Sequence, residues 1–398
     1  MNETTAALCG AFLLPVPLAA AGVALMNTGL GRSRSAAHAL LSSVCAFGVA
    51  ALAYSLTAQS FFGGHAFDGP PNMLAACLGM FGAGLAAVIP LGAGADRWRL
   101  GASCVSAAIL GGVVYPLFAH WIWGGGWLAQ LGPRYGLGRG FLDTGGAASI
   151  HTAGGIAALS IAWVLGPRRG RYSSDGTPSA IPGHNAVLVL FACMLALVGW
   201  FGLNAAGALL FDGVAPGGVA LVFVNTTLSA AAAALVSASL TRIRFGRPDP
   251  SLCANAWIGG LVTSSAGSAF MSPAVAALAG AVGGALVTLS VEWLDFHLEV
   301  DDPGGSISAH AVGGIWGLLA VGFFGHIAES GQALAQLVGI ATLLGLVLPF
   351  SYGWNWLLDR FYRQRISPEG EQQGLDLYEL GAGAYPEFVI HREDFYQR

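Results

Sequence analysis

The sequence predicts an all-α polytopic membrane protein, and three observations carry that prediction. Of 398 residues, 55% are hydrophobic and only 10% charged, whereas about a quarter of an ordinary soluble domain is charged. Long apolar runs follow one another with only short polar punctuation, which argues for one bundle rather than two or three soluble domains. Two stretches, DTGGAASIHTAGGI from Asp143 and DPGGSISAHAVGGI from Asp302, share the pattern D-x-G-G-x4-H-x2-G-G-I without a gap. The bundle therefore contains the same unit twice.

Each run of about 20 apolar residues is read as one crossing. Eleven spans fall near residues 6–26, 36–58, 73–93, 101–121, 142–165, 185–207, 217–240, 253–271, 273–296, 305–325 and 332–358. The chain starts MNETTAALCG, without the basic n-region of a cleavable signal peptide, so the first apolar run is expected to remain as a span. Arginine supplies all seventeen basic residues and marks alternate connections: Arg32 and Arg34, then Arg97 and Arg99, then Arg168, Arg169 and Arg171, then Arg242, Arg244 and Arg247, and last Arg360, Arg363 and Arg365. Only Arg134 and Arg139 fall in connections of the opposite parity. The positive-inside rule then places the N-terminus outside and the C-terminus inside. A transmembrane domain over 1–358 is expected, with repeats over about 1–170 and 180–326, a final helix at 332–358 and a cytoplasmic tail at 359–398. The 59 glycines suit close approach of membrane helices.

The first copy of the repeated motif opens the fifth span and the second opens the tenth. Five spans separate them, and an odd offset gives the halves opposite orientation, the inverted repeat of transporters and channels. Each His follows its Asp by eight residues, about 12 Å along a helix. From opposite faces of a core about 30 Å thick, that carries His151 and His310 to mid-depth together.

An ionisable side chain inside a span normally faces the bundle interior and marks a pathway. A lone His also serves as an interhelical hydrogen-bond donor, but matched positions in an inverted repeat favour a pathway. The remaining histidines (His38, His65, His120, His184, His297, His326 and His391) sit at span ends, in loops or in the tail and call for no special role. The glycine pairs Gly154–Gly155 and Gly313–Gly314 read as close-packing positions. Asp143 and Asp302 stand where a helix begins and suit N-caps; Asp143 is also placed to hold an entry loop that stabilises a cation.

Other chemistries lack support. Two histidines without nearby carboxylates or thiols fall short of a zinc site, and no nucleophile–base–orienter set accompanies them, so neither an enzyme nor a cofactor is expected. The six cysteines lie scattered in apolar segments with no C-x-x-C spacing and read as buried, inert residues. A net charge of -4 with no basic run gives nucleic acid no footing.

The two repeat copies, W-G-G-G at Trp123–Gly126, G-W-F-G-L-N at Gly199–Asn204 and the D-D-P-G-G run from Asp301 resemble the ammonium transporter family (Amt/Mep/Rh), in its Amt branch. The resemblance runs to G-L-D-L-Y-E-L-G-A-G-A-Y at Gly374–Tyr385. It implies an eleven-span homotrimer in the cell membrane (the inner membrane of a Gram-negative cell), each subunit with its own narrow apolar pore. His151 and His310 match the family's twin pore histidines, where ammonium parts from its proton. Trp123 matches the aromatic residue of the outer recruitment site, where a cation rests on a ring face, and Asp143 the acidic residue below it. Trp200 and Asn204 match the sixth-span motif beside the pore.

Three positions depart from the family pattern. Leu203 stands at the second gate position, Gly207 at the recruitment serine, and Gly82 at the first gate position with Phe81 one residue away. Either the gate is rebuilt from Phe81, Leu203 and neighbouring aromatics, or the chain is a non-conducting ammonium sensor or a neutral-gas channel of the same fold. The tail resembles the family's coupling segment, which communicates with PII-type regulatory proteins, but carries Leu380 and Ala382 where that segment has His and Glu. Arg363, Arg365, Glu369 and Glu371 read as surface charges.

Overall fold

The computed structural model describes residues 1–327 and 329–385, so His391 lies outside the described residues. Among these residues the chain is helical, with two isolated antiparallel bridges, Trp98 with Arg365 and Tyr172 with Pro178. Ten helices are long and apolar enough to cross a membrane. The first seven are α1 (Glu3–Leu30), α2 (Ser33–Phe61), α3 (Gly69–Gly94), α4 (Leu100–Ile122), α5 (Ala147–Leu165), α6 (Ala186–Leu210) and α7 (Pro216–Phe245). A shorter helix, α8 (Pro250–Ser264), intervenes before α9 (Pro273–Leu298), α10 (Ile307–Phe324) and α11 (Gln332–Phe361). The span expected at 253–271 is thus a 15-residue helix followed by a 3-10 turn at Ser268–Phe270, about 22 Å of regular helix. The last helix runs to Phe361, three residues past the expected boundary.

Local chemistry sets the ends. Side chains of Asn2, Asn185, Asp249 and Ser272 accept hydrogen bonds from the first-turn amides of α1, α6, α8 and α9, satisfying donors that a helix start leaves open. Within α1, Pro15 and Pro17 interrupt the ladder and the helix restarts at Pro17.

The packing repeats with an offset of five. Helix α2 packs on α3 and α4 as α7 packs on α8 and α9, and α3 packs on α5 as α8 packs on α10. Helices α1 and α6, and likewise α5 and α10, meet across the two halves. Glycines make these approaches possible: a Cβ on Gly22 would lie 2.8 Å from the Ala192 carbonyl oxygen, and one on Gly313 3.1 Å from that of Gly259.

Several arginines read as loop markers are built into the tail-side face. Arg97 is fully buried and donates to Gly166 O at 2.8 Å and Asp301 O at 2.9 Å. Arg168 grips Asp301 through Nε at 2.9 Å and Nη2 at 3.0 Å, and reaches Asp96 at 3.1 Å. Burial pushes the Asp301 carboxyl up, but Arg97 and Arg168 outweigh it and hold it at about 2.

The tail is strapped to this face, which corrects two readings from the sequence. Asp376 accepts from the Ala37 and His38 amides, capping α2. His38, expected to need no special role, is buried and pairs with Glu379 at 2.7 Å. Burial would raise the Glu379 carboxyl; the His38 ring and the Leu100 amide hold it below its ordinary range. Glu371, expected at the surface, is buried and pairs with Arg365 at 2.9 Å. Arg363 and Glu369 are exposed as expected.

Candidate functional site

The repeated motif folds the same way twice. Neither helix starts at its aspartate: each chain turns first, through Gly146 (φ 84) and Gly305 (φ 63), positions in the left-handed region that glycine adopts without strain. The turn folds each carboxylate back over the coming helix. Asp143 accepts from the Ala148 and Ser149 amides at 2.9 and 3.0 Å and from the Ser149 hydroxyl at 2.8 Å, and Asp302 from the Ile307 amide at 2.7 Å. The preceding glycines leave room for an asparagine each, Asn204 at Gly145 and Asn27 at Gly304. Both helices begin in a π-helical turn, Ala147–Thr152 and Ile307–Val312, and each turn contains its histidine. Such turns recur at functional sites because they re-aim a side chain out of the regular ladder.

The two helices run in opposite directions. Helix α5 starts beside Trp123, whose indole Nε1 donates to Asp143 O at 3.1 Å. It ends at Leu165 and Gly166, whose carbonyls accept from Arg365 and Arg97. Arg97 also binds Asp301, where α10 is about to start. Antiparallel α5 and α10 bring His151 and His310 face to face. Their Nδ1 atoms lie 3.3 Å apart, and the residues are 0% and 1% exposed. One Nδ1 must carry the proton and the other the lone pair, so the neutral rings hold complementary tautomers. Trp200 stacks on His151 with centroids 4.9 Å apart and planes 8° from parallel, its Nε1 donating to Ser265 Oγ at 3.0 Å.

Toward Trp123 the gate-position residues take unexpected partners. Gly82 is covered by Tyr115: a Cβ there would strike the Tyr115 hydroxyl and lie 3.1 Å from Ile150 Cδ1. Phe81 instead stacks on Phe47 of α2, with centroids 6.4 Å apart. Leu203 is buried on α6. Gly207 is closed over by the entry loop, since a Cβ there would meet the Thr144 carbonyl, lying 2.9 Å from its carbon; no space remains for the hydroxyl of a serine. Phe211 lies flat on Trp123, with centroids 4.4 Å apart and planes 7° from parallel. A cavity of about 140 Å³ opens beside this pair, lined among others by Tyr54, Gly79, Tyr115, Trp123 and Phe211.

Buried polar atoms without a protein partner include Asn204 Oδ1, His151 Nε2, Ser308 Oγ and Asn27 Oδ1. Native proteins leave few such atoms, and each calls for a reason. Asp212, next to Phe211, is a further candidate: burial pushes its carboxyl up to about 7, against the opposing pull of the Thr144 hydroxyl and Arg139. Tyr115, Phe211 and Asp212 did not emerge from the sequence. The available signals were a tyrosine inside the apolar fourth span and an F-D pair closing the sixth. Among the described residues no group of three or more His, Cys, Asp or Glu could hold a metal.

Comparison with known proteins matches this architecture. The model of the Ammonium Transporter Family covers residues 7–385. The ammonium transporter Amt2 of Archaeoglobus fulgidus is 32% identical over 93% of this chain and 85% of its own length. A putative ammonium transporter of Synechocystis is 33% identical over 95% of this chain and 89% of its own. Among solved structures, one described as a sensor Amt protein superposes with a TM-score of 0.85 at 27% identity, over 95% of this chain and all of that one. Mep2 of Candida albicans shares the fold, with a TM-score of 0.82 at 24% identity over 98% of this chain and 91% of its own. With a family model over nearly its whole length and relatives above 30% identity, this multi-pass membrane protein belongs to the ammonium transporter family.

Proposed function

We propose that the chain is a transporter or channel that takes up ammonium at the Trp123 mouth, deprotonates it and passes ammonia along the histidine pair. The observation that carries this reading is the buried contact of 3.3 Å between His151 and His310 Nδ1. An ammonium ion loses several kcal/mol of hydration or more on entering an apolar constriction, whereas neutral ammonia does not carry that cost. Tyr115, Ile150 and Leu203 form the constriction, Tyr115 taking the place of a stacked phenylalanine gate. Beyond it, the histidines offer one donor and one acceptor to a small polar guest and a route for its proton. The unpartnered oxygen of Asn204 gives the guest a hydrogen bond on approach. The arginine distribution supports a mouth outside and a tail inside, with α8 counted as the remaining span of an eleven-span subunit. Apolar side chains such as Leu14, Leu56 and Ile243, each 81% exposed, provide surface for lipid and for a homotrimer. The tail offers a docking place for a PII-type regulator.

A second reading, a non-conducting sensor, draws on a specific observation. Phe211 occupies a face of Trp123 and the Thr144 carbonyl closes Gly207, so the recruitment site differs from the family pattern. The likeness to a sensor Amt protein accords with it. The test is the transient current on an ammonium jump over reconstituted protein on a solid-supported membrane. Ammonia leaking through lipid moves no charge. A saturable current that disappears in the His151→Ala/His310→Ala variant supports electrogenic transport. No current, with no ammonia flux above that of protein-free vesicles but saturable ammonium binding, establishes the sensor instead.

A further inference from the structure

Two cavities adjoin on the tail-side face and share Arg169 and Glu371. One, of about 560 Å³, is lined by Arg99, Arg169, Arg363 and Arg365; the other, of about 350 Å³, by Arg32, Arg34 and Arg169. Six guanidinium groups therefore face one basin, drawn from the α1–α2, α3–α4 and α5–α6 connections and from the tail. Glu371 lines both cavities with both its oxygens engaged, Oε1 accepting from the Arg169 amide at 2.7 Å and Oε2 from Arg365 at 2.9 Å; Glu369 near Arg169 and Glu379 near Arg99 stay beyond ion-pair distance of them. Among the described residues Arg34, Arg99, Arg169 and Arg363 enter no ion pair, and Arg32 reaches Asp96 only at 4.0 Å. The adjacent buried cluster contrasts with this, because there Arg97 and Arg168 are matched by Asp96 and Asp301.

Like charges brought together repel unless an anion joins them, and the basin's volume is that of a small-molecule site. Every cation is arginine, whose planar fork binds phosphate oxygens in pairs. We propose that this basin is a binding site for a phosphate-bearing anion, either the headgroup of an anionic lipid or a free phosphate compound. A headgroup reaches it from the leaflet, where a basic cluster beside membrane spans gathers anionic lipid; a free compound reaches it from solution. Because the walls come from three connections and the tail, an occupant fastens the tail to the bundle. The proposal does not depend on the reading of the histidine pair.

The test uses the full chain purified in a neutral detergent, titrated separately with inorganic pyrophosphate, short-chain phosphatidylglycerol and short-chain phosphatidylcholine. The readout is the thermal unfolding midpoint. Expected is a saturable rise with pyrophosphate or phosphatidylglycerol and none with phosphatidylcholine, the responding anion identifying the source. In Arg169→Gln/Arg363→Gln the apparent affinity falls at least tenfold, while Arg134→Gln/Arg247→Gln, away from the basin, binds as wild type. Both basin side chains are exposed, and the single variant Arg363→Gln, with a smaller loss, guards against misfolding of the double. No saturable rise with either anion, an equal response to phosphatidylcholine, or unchanged affinity in the basin variant overturns the proposal.

Discussion

The substitution Gly207→Ser separates the structure from the family pattern most sharply, because it restores the hydroxyl that the pattern places at the recruitment site. In this chain the added Cβ, not the hydroxyl, decides the outcome. It would meet the Thr144 carbonyl, 2.9 Å from the carbon and closer still to the oxygen, and that neighbour is backbone. Relief requires the entry loop to move. The loop is held by Gly145 N donating to Ser265 O at 2.7 Å, Thr144 N to Ala266 O at 3.3 Å and the Asp143 bonds to α5. Overpacking costs about 1–3 kcal/mol, and one loop hydrogen bond lost adds about 1 kcal/mol, giving about 2–4 kcal/mol together. The thermal midpoint of purified protein falls by several degrees, and the ammonium concentration for half-maximal current rises or stays the same. A variant with an unchanged midpoint and a stronger response at low ammonium would refute the argument, since it would mean that the loop does not press on Gly207.

Three further outcomes are expected. His151→Ala and His310→Ala each abolish or alter the selectivity of ammonium-driven current, while the proteins remain folded by circular dichroism; unaltered flux in both sinks the proton-handling role. The Asp301 carboxyl, held at about 2 by Arg97 and Arg168 against burial, contributes about 2 kcal/mol of stability. That contribution is present above about pH 4 and lost as pH falls toward 2, so Asp301→Asn lowers the midpoint at pH 7 and the deficit shrinks in acid; a pH-independent deficit counts against the ion cluster. Asp212 has the opposite sign: burial raises its carboxyl to about 7, so its charge destabilises the fold increasingly as pH rises from about 4 through 7. Asp212→Asn therefore raises the midpoint at pH 8 and leaves it unchanged at pH 4, and equal shifts at both would show that titration plays no part.

Much of the fold is legible from the chain because a bilayer imposes a one-dimensional requirement of about 20 apolar residues per crossing. Ten of the expected spans coincide with long apolar helices. The eighth does not, because its regular helix ends at Ser264 and the rest of the expected span is turn, including the 3-10 turn at Ser268–Phe270. The histidine contact was legible for a different reason: an exact repeat at an odd offset of spans fixes two antiparallel helices, and equal distances from the aspartates fix the depth at which they meet. The glycines of that repeat carry the positive φ that folds each aspartate over its helix.

What lines the mouth was not legible. A membrane helix is apolar all round, so its periodicity does not reveal which face meets a neighbour. The sequence did not foretell that Phe81 stacks on Phe47 or that Tyr115 lies over Gly82. Phe211 on Trp123, Thr144 against Gly207 and His38 on Glu379 likewise join residues far apart in the chain. The sequence by itself determined the membrane class, the repeat, the paired histidines and the family. Only the tertiary structure decided that Tyr115 covers Gly82, that Phe211 covers Trp123 and what the tail grips, because those depend on helix rotation, which close packing sets and hydrophobic composition does not.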